Sequence, residues 1–273
     1  MTPNDMTPNS MTPNAIMKSA FLTDATICIG CKACEVACKE WNGVPADGFE
    51  WSGFSYDNTK ALGASTWRHV MFLEQPQTAG PQIAETADPF RWVFLSDVCK
   101  HCANSGCLEG CPTGAIVRTD VQSVLVQADI CNGCGYCVVS CPFGVIDKNL
   151  DDGRAFKCTF CYDRQKAGLM PACATACPTQ SIQFGPYDEL QERAKNRVVE
   201  LQERGYSDAK LYDPKETSVG GIHAFFVILG EPENYNLPPA PEVPTAYLKS
   251  AWASALISAV ILFAVMCAVF ALT

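Results

Sequence analysis

Sixteen of the seventeen cysteines in this 273-residue chain fall into four groups of four. They are Cys28, Cys31, Cys34 and Cys38; Cys99, Cys102, Cys107 and Cys111; Cys131, Cys134, Cys137 and Cys141; and Cys158, Cys161, Cys173 and Cys177, with Cys267 left over. The third group ends in Cys141-Pro142 and has the C-x2-C-x2-C-x3-C-P spacing in which three thiolates hold one cubane cluster and the fourth reaches its neighbour. Two [4Fe-4S] clusters are therefore expected side by side between Cys99 and Cys141. The second group departs from that spacing, with four residues between Cys102 and Cys107, so its loop should bulge without changing the ligand count.

Other cysteine chemistries fit less well. A disulfide scaffold would scatter its cysteines and follow a secretion signal, and the N-terminus has neither a basic nor an apolar signal region. Structural zinc, as in a zinc-binding scaffold protein, suits C-x2-C pairs in a tetrahedral S4 site. It does not account for three closely spaced thiolates followed by a fourth that turns away.

The formal charge is −9. An oxidised cube with four thiolates carries −2, so four of them add about −8. No basic stripe exists to displace phosphate counterions, which excludes nucleic acid as a partner. Each cluster must instead find backbone N–H groups and nearby Lys or Arg. No phosphate-binding loop, dinucleotide fingerprint, nucleophile elbow or metalloprotease helix occurs, so the chain carries electrons and catalyses nothing itself. The histidines form no site: His101, beside Cys102, is expected to make a structural hydrogen bond, and His69 and His223 to sit in strands.

The remaining sequence must position these ligands. Met1, Met6 and Met11 each begin an MTPN repeat, and residues 1–19 read as a disordered tail. Cys38 is followed by Lys39 rather than Pro, so a helix can continue past it toward Trp41. The insertion at 42–98 lacks cysteine and holds two expected strands, Thr66 to Glu74 and Phe90 to Ser96, around a loop from Gln75 to Asp88. Trp51, Trp67 and Trp92 are expected to pack it. Short hairpins are expected at Ala115–Arg118 with Val124–Gln127, and at Gly144–Lys148 with Ala155–Lys157. A strand at Ser181–Phe184, an amphipathic helix at Tyr187–Arg204 and a strand beginning at Gly220 follow. Residues 231–248 read as an extended Pro-rich linker. The final segment, 249–273, contains Ala251 to Leu272 without a charge; such a helix covers roughly 33 Å, enough for the core of a bilayer. Lys249 and Trp252 suit the interface, and Ala251, Ala255 and Ala259 suit packing on another membrane helix.

The segments CIGCKACEVACKEWN, DVCKHCANSGCLEGCPTGAIVRT, ICNGCGYCVVSCPFGVI and KCTFCYDRQKAGLMPACATACPTQSIQFG resemble the iron-sulfur (beta) subunit of membrane-bound respiratory formate dehydrogenase. The likeness continues through LYDPKETSVGGIHAFFVILGEP into the tail helix. The four runs alone are shared with other beta subunits of molybdopterin oxidoreductases, including sulfur-compound and nitrate-type reductases, and with some hydrogenases.

The resemblance implies an α+β fold of two interlaced ferredoxin-like modules carrying four [4Fe-4S] clusters, plus one C-terminal transmembrane helix. The cluster domain would span 20–230, with an inner module at 95–150 and an outer module formed by 20–45 with 151–186. The implied ligand sets are Cys28, Cys31, Cys34 with Cys177; Cys158, Cys161, Cys173 with Cys38; Cys99, Cys102, Cys107 with Cys141; and Cys131, Cys134, Cys137 with Cys111. Exchange of the fourth ligand follows from the ferredoxin rule, whereas the pairing of runs comes from the resemblance. The implied partners are a large molybdopterin catalytic subunit and an integral membrane subunit, of cytochrome b or quinone-reactive type, at the cytoplasmic (inner) membrane. On the side of that membrane the indications conflict. Lys249 ahead of the span favours the cytoplasm, and the resemblance favours the outer face.

Overall fold

A computed structural model of the chain describes residues 18–47, 51, 53, 59, 61–76 and 90–272. The MTPN repeats and most of the Gln75–Asp88 loop lie outside them. In chain order the elements are β1 (Ser19–Asp24), α1 (Ala33–Asn42), β2 (Arg68–Pro76), β3 (Phe90–Val98), α2 (Gly106–Glu109), β4 (Ile116–Arg118), β5 (Val124–Val126), α3 (Tyr136–Val139), β6 (Asp147–Lys148) and β7 (Ala155–Phe156). Then come α4 (Tyr162–Lys166), α5 (Ala172–Thr175), β8 (Ile182–Pro186), α6 (Tyr187–Glu203), β9 (Ala209–Tyr212), β10 (Ala224–Leu229) and α7 (Leu248–Leu272).

A four-stranded sheet in the order β8-β1-β10-β9 holds the ends of the cluster-domain sequence together. β1 is central: Phe21 stands opposite Phe184 in antiparallel β8 and opposite Ala224 in parallel β10. Central strands bury both faces and read as continuous apolar runs, and all six residues of β1 and of β10 are buried. Along β1 the pleat sorts the side chains. Ala20 and Leu22 join the core formed with Leu190, Ala194 and Leu201 of α6, while Phe21 packs among Cys34, Cys158, Cys173 and Phe160. Burial of Phe225, Phe226, Val227 and Ile228 contributes about 1.5–3 kcal/mol each. The sheet is thus a wall with a helix behind it and thiols in front.

The expected hairpins form. β2 pairs with β3 over nine residues, β4 with β5, and β6 with β7. Strand β9, which completes the sheet edge, was not expected; its sequence AKLY carries no periodic signal of its own. The tryptophan expectation needs correction. Trp67 packs at the thiol-lined core and donates to the Ala64 carbonyl at 2.8 Å, but Trp51 is 85% and Trp92 43% exposed; Trp51 lies outside the hairpin, and Trp92 sits near its Pro76–Phe90 end, beyond the Phe72–Phe94 pair that packs on the core. The Pro-rich stretch also differs from an extended linker. Tyr235, Leu237 and Val243 are buried in the main core, and Tyr235 closes a hydrogen-bonded pair with Leu229. Helix α7 leaves this docked strap as 25 residues exposed on every described side, which is incompatible with a buried core helix.

Candidate iron-sulfur sites

Two local devices recur among the cysteine runs. Within the C-x2-C pairs, the residue before the second cysteine is left-handed: Gly30, His101, Gly133 and Phe160 all have positive φ. Such a turn curls the loop and aims successive N–H groups inward, as anion-binding backbone nests do. At Gly133 a side chain is sterically excluded as well, since a Cβ would lie 2.5 Å from the Gly153 carbonyl oxygen. At His101 and Phe160 the left-handed turn costs roughly 1–2 kcal/mol; both side chains are buried, with ring centroids 4.5 Å apart, which offsets it.

The second device is a single helical turn. Cys107, Cys137 and Cys173 lie on α2, α3 and α5, each four residues long, and each turn delivers Cys111, Cys141 or Cys177 immediately before a proline that ends it. No proline follows Cys38, and α1 runs on for ten residues.

These devices bring distant runs together. One cavity has Cys111, Cys131, Cys134 and Cys137 in its lining. A second has Cys28, Cys31, Cys34 and Cys177. The pairing of β1 with β8 is what carries Cys177 back to Cys28. Cys38 lies near enough to Cys161 and Cys173 for their charges to interact, and Cys102 and Cys107 are likewise near Cys99 and Cys141. Yet among the described residues no three His, Cys, Asp or Glu side chains converge closely enough for a single metal ion. Zinc–sulfur bonds of about 2.3 Å would require such convergence. Wide quartets of sulfur around a cavity suit a larger inorganic core.

Contacts between thiols also link the cysteine groups in succession. Cys34 interacts with Cys173, Cys158 with Cys99, and Cys107 with Cys137. Cys31 and Cys134, at opposite ends of that succession, are exposed.

Burial dominates the thiol chemistry. It pushes Cys34, Cys38 and Cys107 up to about 12 and Cys137 and Cys161 up to about 11. Iron binds thiolate, so the metal's positive charge must displace these protons, which couples loading to folding. At the more open Cys111, burial also raises the value, but hydrogen bonds from the Thr113 side chain and from backbone near Ile116 outweigh it and lower the thiol. Backbone N–H groups of Ala155, Phe160 and Ile182 donate to the sulfurs of Cys131, Cys158 and Cys177 at 3.4, 3.3 and 3.5 Å.

Buried basic residues were not singled out in the sequence. Arg68 is 1% exposed and donates to Cys173 Sγ at 3.3 Å. Lys157 is 3% exposed and donates to Cys99 Sγ at 3.5 Å. Two of the three beside the thiols, Lys100 and Lys157, directly adjoin a cysteine in the chain, a signal that could have found them. The histidines are structural: His101 Nδ1 accepts from the Val124 N–H at 3.0 Å, and its carbonyl meets His223 Nδ1 at 2.9 Å.

Fold and site together define a 4Fe-4S dicluster protein, and residues 27–115 and 90–187 each match a family described as 4Fe-4S dicluster domain. A formate dehydrogenase iron-sulfur subunit of Haemophilus influenzae is 42% identical over 81% of this chain and 69% of its own length. The nitrate-inducible formate dehydrogenase iron-sulfur subunit of Escherichia coli is 40% identical over 86% and 76%. A thiosulfate reductase electron transfer subunit of Salmonella typhi is 38% identical over 73% and 94%. The chain belongs to the family of formate dehydrogenase iron-sulfur subunits, and is an electron-transfer subunit rather than a catalytic one.

Proposed function

We propose that the chain carries four [4Fe-4S] clusters in line and conducts electrons from a formate-oxidising molybdenum or tungsten pterin subunit to a quinone-reactive or cytochrome subunit in the cytoplasmic membrane. The ligand sets are Cys28, Cys31, Cys34, Cys177; Cys38, Cys158, Cys161, Cys173; Cys99, Cys102, Cys107, Cys141; and Cys111, Cys131, Cys134, Cys137. The observation that carries this reading is that two cavities are each lined by all four cysteines of one set, drawn from separate runs. When bound, each cluster supplies a one-electron carrier. The protein holds it between thiolates, directs N–H groups at the sulfurs and excludes water with Phe21, Phe160 and the β2–β3 hairpin.

The direction of transfer is supported by the root of α7. Thr245 hydrogen-bonds to Glu109, and Val243 stands beside Gly106, so the membrane helix departs next to α2, which delivers Cys111. The Cys134 end then faces the membrane partner, and the Cys31 end faces the catalytic one. The test is reconstitution with the formate-oxidising partner. About sixteen irons per chain, reduced by formate, are expected; iron-loaded chain left oxidised by formate would overturn the formate assignment, and far fewer irons would overturn the four-cluster count.

A further inference from the structure

Among the described residues, Arg68 and Lys157 are buried cations with no carboxylate in ion-pair contact. Lys100, equally buried, is neutralised by Asp97, and Arg118 is spent on the carbonyls of Cys102 and Ala103. A buried charge needs a counter-charge. For Arg68 and Lys157 the only anions at hand are thiolates.

Their positions are specific. Arg68 donates to Cys173 Sγ and, through Nη1, to the Ser96 carbonyl at 3.1 Å and hydroxyl at 3.3 Å. The Ser96 hydroxyl in turn lies 3.2 Å from Cys34 Sγ. Arg68 thus bridges the Cys28–Cys34–Cys177 quartet to the next. Lys157 Nζ has three acceptors, Cys99 Sγ at 3.5 Å, the Cys158 carbonyl at 3.2 Å and the Val124 carbonyl. Three acceptors match the three protons of an ammonium, and they span the second and third quartets. Between the third and fourth, where α2 meets α3, the charged groups acting on Cys137 are the thiols of Cys131, Cys111 and Cys134, and among the described residues no buried cation donates to a sulfur of that fourth quartet.

We propose that Arg68 and Lys157 set the potentials of the sites whose gaps they occupy, and raise most the site of Cys38, Cys158, Cys161 and Cys173, which lies between them. Reduction adds one electron from the donor subunit and breaks no bond, so the site gains one negative charge. A fixed buried cation favours that state, because the low-dielectric surroundings screen it little. It also weakens repulsion between neighbouring reduced sites. The fourth site, without such a cation, keeps a lower potential.

This inference rests on the four-site reading and is separable from it. The membrane-extracted complex is titrated potentiometrically, with cluster signals followed by electron paramagnetic resonance, in wild type, Lys157→Met, Lys157→Arg, Arg68→Lys and Arg68→Met. Four signals in wild type test the site count. Lys157→Met is expected to lower the reduced-to-oxidised ratio of the second and third sites at least tenfold at fixed potential, about 59 mV for one electron. Lys157→Arg should restore most of that ratio, and the fourth site should not move. Equal shifts in Lys157→Met and Lys157→Arg, or none in either, overturn the proposal, as would a second site lower in potential than the fourth in wild type. Should Arg68→Met fail to assemble, the Lys157 pair and the charge-retaining Arg68→Lys decide.

Discussion

Gly106→Ala tests whether the α2–α3 junction is as close as it is drawn. A Cβ on Gly106 would lie 2.3 Å from the Ser140 carbonyl oxygen and 3.3 Å from Val243 Cγ1. Ordinary contact begins near 3.4 Å, so the turns must part by about 1 Å, against a packed interior that resists insertion. Neither neighbour can swing aside: one is the backbone at the end of α3, the other a side chain of the anchor strap that is itself buried in the main core. Overpacking of this kind costs about 1–3 kcal/mol. Because a cluster-bearing chain does not unfold reversibly, the useful measure is a rate, here bleaching of the visible absorbance in excess iron chelator. If the strain is released in the rate-limiting opening, cluster loss accelerates about 5- to 150-fold. Gly63→Ala is the control, since its Cβ would meet nothing nearer than 3.9 Å. Equal bleaching rates for the two variants would refute the close approach.

Cys137→Ser is expected to abolish one reduced-cluster resonance while the chain stays in the membrane fraction; loss of every resonance would contradict independent sites. Ending the chain before Leu248 should move the cluster-loaded domain to the soluble fraction, because α7 makes no buried contact with it; retention would locate the anchor elsewhere. Tyr235→Phe leaves the Leu229 N–H and carbonyl without their hydroxyl partner, a loss of about 1–3 kcal/mol that should appear as faster thermal inactivation. At Asp47, burial raises the carboxyl, but hydrogen bonds from Lys39, Ser65 and Thr66 outweigh it and hold it below its usual 3.8. Its stabilising charge is therefore present above that value and lost as the pH falls through the lower folded-state one. Acid unfolding followed by circular dichroism should lose that component in Asp47→Asn, and superimposable curves would remove Asp47 from the account.

The turns that carry the cysteines were legible because they are local: a C-x2-C spacing and a proline after the last cysteine dictate the turn wherever it occurs. Hairpins such as β4–β5 were legible for the same reason. What sequence spacing did not convey is contact at a distance. Arg68 heads an apolar strand, and only the fold brings it against Cys173, over a hundred positions away. Trp92 sits in a strand of core-like composition, but toward the hairpin's Pro76–Phe90 end, past Phe94, where packing on the thiol-lined core stops. The prolines of the strap suggest an open tether, yet Tyr235 and Val243 are the residues that fasten it.

The central position of β1 bears on how the protein is made. Translation presents Cys28 to Cys38 first, yet β1 has no strand to pair with until β8 and β10, some 160 and 200 residues later, have left the ribosome. In the proposed ligand sets Cys99 to Cys141 draws on no cysteine outside itself, although its loops later dock on residues 219–223. On the proposed assignment, iron delivered during synthesis finds its first complete sites in the middle of the polypeptide, and the earliest cysteines wait longest for theirs.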